Sequence, residues 1–160
     1  MKKNSYHNYV LLACVLLLIA LCCWSVSSPL RFDHERESRE MAVKARLLEI
    51  RRAAETYKAS HGHYAASLYE LVQAGCLADS LRLIPYAEGD TFAISVTTLS
   101  SKTDRPVPVM ECKAEFAQYL KGMDEDMVSE LITEAIDAGA YPGLKIGDME
   151  YDNHNAGNWE

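Results

Sequence analysis

The stretch Val43-Lys44-Ala45-Arg46-Leu47-Leu48-Glu49-Ile50-Arg51-Arg52-Ala53-Ala54-Glu55-Thr56-Tyr57 decides the fold. Val43, Leu47, Ile50, Ala54 and Tyr57 recur at spacings of four, three, four and three, which is one apolar stripe on an α-helix. Lys44, Arg46, Glu49, Arg51, Arg52, Glu55 and Lys58 occupy the opposite face. No Gly or Pro interrupts residues 32–60, and Gly62 follows in the place of a helix-ending C′ residue. A stripe this long must cover something apolar, so Leu47, Ile50 and Tyr57 are candidate core residues.

Towards the N-terminus the charge disappears. No Asp, Glu, Lys or Arg lies between Asn4 and Leu30, and residues 9–26 are apolar apart from Cys14, Cys22, Cys23 and Ser25. Eighteen residues at the helical rise span about 27 Å, close to the hydrocarbon thickness of a bilayer. The expectation is a short cytoplasmic tail over residues 1–8, a transmembrane helix over 9–28 and a periplasmic domain over 29–160. The alternative is a cleaved signal peptide. Its apolar core is ordinarily shorter, and a cut after Ser28 would leave Pro29 directly behind it. Lys2 and Lys3 favour a cytoplasmic N-terminus, whereas Arg31, Arg36 and Arg39 flank the other end and nearly cancel that bias.

Towards the C-terminus the pattern alternates between helix and strand. Ser67-Leu68-Tyr69-Glu70 reads as a capping box opening a short helix that Gly75 closes. Thr91-Phe92-Ala93-Ile94-Ser95-Val96-Thr97 alternates and is rich in β-branched residues, which predicts a strand. Val107-Pro108-Val109-Met110-Glu111-Cys112 predicts a second, with Pro108 marking an edge or a strand start. The polar residues 98–106 make the pair a hairpin with a long loop. Asp124 caps a third helix that should bury Met127, Val128, Leu131, Ile132 and Ala135 and end at Gly139. Residues 144–149 suggest a last strand. The fold class is therefore α+β: a long amphipathic helix packed on a small antiparallel sheet, which needs such a cover to be stable.

The net charge of −7 argues against nucleic acid and against a polybasic lipid-binding surface. Cys76 and Cys112 in the exported part permit one disulfide or two unpaired thiols. No Gly-x-Ser-x-Gly, phosphate loop or Cys-x-x-Cys occurs, so no nucleophile with an evident base stands out, and the chain is read as no enzyme. His61 and His63 read as cations at a helix C-terminus rather than a metal pair. Residues 36–46 of the helix have less domain beside them, which leaves room for a partner helix or self-association.

Two stretches carry a family resemblance. Residues 48–64 run from an alternating helix through Tyr57 to Ser60-His61-Gly62-His63-Tyr64. The tail is Asp152-Asn153-His154-Asn155-Ala156-Gly157-Asn158-Trp159-Glu160. Lying behind a membrane helix, they resemble type IV pilins, and more closely the major pseudopilin of type II secretion systems. The prepilin Gly-Phe cleavage step and the acidic residue of the apolar run are absent, and Ala65 stands where the family has Pro. The resemblance implies a non-enzymatic structural subunit of a secretion or pilus-like envelope assembly. Its setting would be the bacterial inner membrane, with partners from an envelope complex or self-association through the N-terminal helix. It also implies calcium in the C-terminal loop, where Asp148, Glu150, Asp152, Asn153 and Asn155 offer oxygen donors. A solvated loop stitched by Asx turns is the other reading of those five. Trp159 is expected to dock. The alternative function is a membrane-tethered domain responsive to calcium or another ligand.

Overall fold

The computed structural model describes residues 3–100 and 106–160, with side chains at 9–22, 30–100 and 106–160. Two compact units divide it, Met1–Glu37 and Ser38–Glu160. Helix α1, Lys3–His61, contributes to both. It has no break at Pro29, where a disturbance is expected from the lost amide donor. Among the described residues no helix is long and apolar enough to cross a membrane. Of the expected tail over 1–8, residues 1–2 and the side chains of 3–8 lie outside them, as do the side chains of 23–29.

In the larger unit the order is α2 (Leu68–Gln73), a 3₁₀ turn (Asp79–Arg82), β1 (Ala93–Ser100), β2 (Pro106–Glu115), α3 (Phe116–Tyr119), α4 (Glu125–Asp137) and β3 (Gly143–Gly147). The three strands form one antiparallel sheet in the order β1-β2-β3. Val43, Leu47, Ile50, Ala54 and Tyr57 are all buried, in one core with Leu68, Leu71, Met110, Cys112, Leu144 and Ile146. The amphipathic helix on a small sheet, expected from the stripe, is what the structure has.

Ends follow local chemistry. Ser67 Oγ accepts from the Glu70 amide, but Glu70 turns its carboxylate to the Ala66 amide and the Tyr57 hydroxyl instead of closing the box on Ser67. At the far end Gly75 has φ +71; its amide donates to Val72 O and that of Cys76 to Leu71 O. That pair of bonds is a Schellman motif, and the positive φ is why glycine sits there. Asp124 caps α4 by accepting from the Met127 amide.

Three expectations change. β2 is the central strand, whereas Pro108 suggests an edge or a strand start; it lies at the third residue of β2. The reason is that β3 pairs only with residues 111–115, so among the described residues Pro108 has a strand neighbour on one side alone, Thr98 of β1. The hairpin strands are longer than predicted and run on to Ser100 and from Pro106; residues 101–105 of the expected loop lie outside the described residues. None of α4 is fully buried: Met127, Val128, Leu131, Ile132 and Ala135 are half-buried and Ile136 is exposed. Val128 and Leu131 pack at the margin of the core, with α3 beside the helix.

Candidate functional site

The C-terminal tail, the most function-like feature of the sequence, docks. After β3 the chain reverses at residues 153–156. His154 and Asn155 have φ of 56° and 57°, and the Ala156 amide donates to Asn153 O at 3.1 Å. Positive φ at both central positions defines a type I′ turn, which suits Asn well. The returning segment then pairs with the outer edge of β3. The Gly147 amide donates to Ala156 O and the Asn158 amide to Lys145 O, both at 3.0 Å. Asn158 adds its side chain, accepting from the Lys145 amide at 3.1 Å and donating to Gly143 O at 2.9 Å. A Cβ at Gly147 would run into the Met110 carbonyl oxygen, and one at Gly143 into that of Ala114, so glycine at both ends lets the strands approach.

The turn delivers Asn155 into the side of α1. Asn155 is 7% exposed, and its amide donates to Tyr64 Oη at 2.8 Å and Glu55 Oε1 at 3.3 Å. Arg51 donates to Asn155 O at 3.2 Å and to Glu160 Oε1 at 3.0 Å. Trp159 is half-buried on the core, lies against Gly157 and has Lys44 Nζ 5.8 Å from its ring centroid. Beside Asn155 opens a groove of about 460 Å³ with Glu55, Lys58, Tyr64, Asp152 and His154 in its wall.

The five candidate calcium donors part company. Asp152 and Asn155 share the groove, though the Asp152 carboxylate accepts from the His154 amide at 2.9 Å. Asn153 turns its amide to Ala156 O, and Glu150 is exposed. Asp148 lies with the sheet: it accepts from the Glu150 amide and from Lys145 Nζ, which also binds Glu111. The Glu150 amide foremost, with Lys145, holds its carboxyl below the usual aspartate value despite partial burial. Among the described residues no group of three His, Cys, Asp or Glu gathers as for a metal.

Cys76 is half-buried, Cys112 is buried in β2, and both are free thiols; burial pushes Cys112 up to about 12. His61 does sit at the C-terminal end of α1, stacked on Tyr57 at 4.0 Å, and His63 stands edge-on to both. Arg51, Glu55, Tyr64 and Lys145 are the tail's partners that sequence reading passes over. Only Tyr64, two residues past the helix-ending Gly62, has a local signal. No known family model matches the chain, and no curated protein or solved structure matches it.

Proposed function

We propose that this chain is a membrane-anchored, non-enzymatic structural subunit of a bacterial envelope assembly, pilin- or pseudopilin-like, with its α+β domain in the periplasm. One observation carries the reading. The uncharged stretch of α1 after Lys3 leaves large apolar side chains in the open: Tyr9 is 70% exposed, Leu17 63% and Ile19 53%. Apolar surface around a whole helix is unfavourable in water by about 25 cal/mol per Å². It calls for hydrocarbon or for partner helices around it. A long helix covering a small three-stranded antiparallel sheet is compatible with the pilin-like plan. The closest test is alkaline carbonate extraction of membranes, followed by intact-mass measurement. Retention in the pellet, at a mass that includes residues 9–28, is expected. A species starting at or after Pro29, or release into the supernatant, would reject the anchor. The calcium-responsive alternative is supported by the tail being held in one shape, which a loop cation site requires.

A further inference from the structure

Helix α4 has an apolar face wider than its cover. At about 100° per residue, Met127, Leu131, Ala135, Val128, Ile132 and Ile136 fall in that order around about 180° of the helix. The core takes the middle of that arc, through Val128 and Leu131. Ile132 and Ile136 overhang it on one side. Ile136 is 59% exposed, and Ile132 lines a groove of about 270 Å³ together with Leu120, Met123 and Val128.

The charge on this helix is one-sided. Residues 124–137 hold Asp124, Glu125, Asp126, Glu130, Glu134 and Asp137 and no Lys, Arg or His. Asp124 serves as the cap, and among the described residues the other five stand in no ion pair. Carboxylates elsewhere in the same unit do: Glu49 with Arg52, Asp79 with Arg82, Glu111 with Lys113 and Lys145. Asp126, Glu130 and Glu134 follow at intervals of four, where like charges repel along a helix. Glu134 and Asp137 also fall in the last turn, where the dipole disfavours negative charge and no basic residue offsets it. Helix stability does not account for these residues. The groove wall does carry a cation, Lys121, but Glu88 already holds its ammonium.

We propose that the groove beside α4 receives a helical segment of a partner protein, with aliphatic anchors on one face and Lys or Arg flanking them. The anchors would lie on Ile132, Ile136 and Leu120, in the helix-in-groove manner. Charge complementarity sets the sign of the rest. Glu125 lines the groove itself. Asp126, Glu130 and Asp137 stand about 100° further round the helix, on the order of 10 Å away, which is one Debye length at moderate salt. A second copy of this chain, itself at net −7, is repelled by that field, and so is an anionic lipid surface. The contact uses the larger unit alone, so its failure leaves the anchor reading untouched.

The experiment is photocrosslinking of the full chain in the cells that make it. Benzoylphenylalanine replaces Ile136 on the overhang or, as control, Tyr69 of α2, which is also 59% exposed. Irradiation should give one discrete adduct from position 136 and none from position 69. Mass spectrometry of the adduct should find the crosslink in a partner segment with an apolar helical stripe and an excess of Lys and Arg. Adding Glu130→Gln, Glu134→Gln and Asp137→Asn should cut the adduct about tenfold. The same three changes relieve repulsion within α4, so the full chain in detergent micelles should melt at or above the parent's temperature. No adduct at 136, equal adducts at both positions, or an adduct to a second copy or to lipid would each overturn the proposal. So would a partner segment without the basic excess, or an adduct that survives neutralisation. A melt lowered by the three changes would mean that these carboxylates stabilise the fold itself, and overturns it as well.

Discussion

Asp148 is held charged by the Glu150 amide and the Lys145 ammonium. Its folded pKa lies below the unfolded one, near 3.9. The stability it contributes is therefore complete above the unfolded value and is lost as pH falls through the folded one. Asp148→Asn should lower the melting temperature by a few degrees at pH 7, as expected for losing about 1–2 kcal/mol of charge-assisted bonding. The gap between parent and variant should narrow as pH falls through the folded value. Melts across that range check it; a gap independent of pH would mean that the carboxylate is not stabilised by its neighbours. The sequence marks Asp148 as an oxygen donor but not whose partner it is. Glu111, which shares Lys145 with it, is more than thirty residues away and meets it only because β2 and β3 pair.

Elements were far more legible than partners. The stripe from Val43 to Tyr57 specifies a buried helix face because its period allows no other structure, and every member is in the core. Ile50→Asp should therefore unfold the larger unit of the full chain in detergent. An unpaired buried carboxylate costs several kcal/mol against a total stability of about 5–15. A cooperative melt near the parent's would disprove the packing. Caps at Ser67 and Asp124 and the stop at Gly75 were equally readable, since each is a local bond. Strand order was not: Pro108 carries the same local signal on an edge strand as on a central strand whose outer neighbour ends early. Nor was the half-exposure of α4, because periodicity gives the direction of an apolar face and not how much covers it.

At the scale of the whole molecule the tail ties β3 to α1. Asn155 and Glu160 reach back over roughly a hundred residues to Glu55, Tyr64 and Arg51. Trp159→Ala removes the apolar weight on that strap and should lower the melting temperature by several degrees, as loss of part of a large side chain's burial implies. Melts of parent and Trp159→Ala protein, each with calcium and with chelator, also separate the two functional readings. A calcium shift in the parent that Trp159→Ala weakens supports the responsive domain. A melt lowered by Trp159→Ala and indifferent to calcium leaves a structural strap. The sequence pointed to Trp159 as docked, but the covering of β3 by the returning tail has no periodic signature to read.

The strap also sets a timetable. Residues 155–160 leave the ribosome after every group they bind, so β3 stays uncovered while the rest of the sheet can already be in place. While the chain is being made, β3 is a bare strand edge, and contacts so distant in sequence are slow to close. A cell making this protein has an interval in which β3 must be kept from pairing with the wrong neighbour, and that interval ends only when the last turn has folded back.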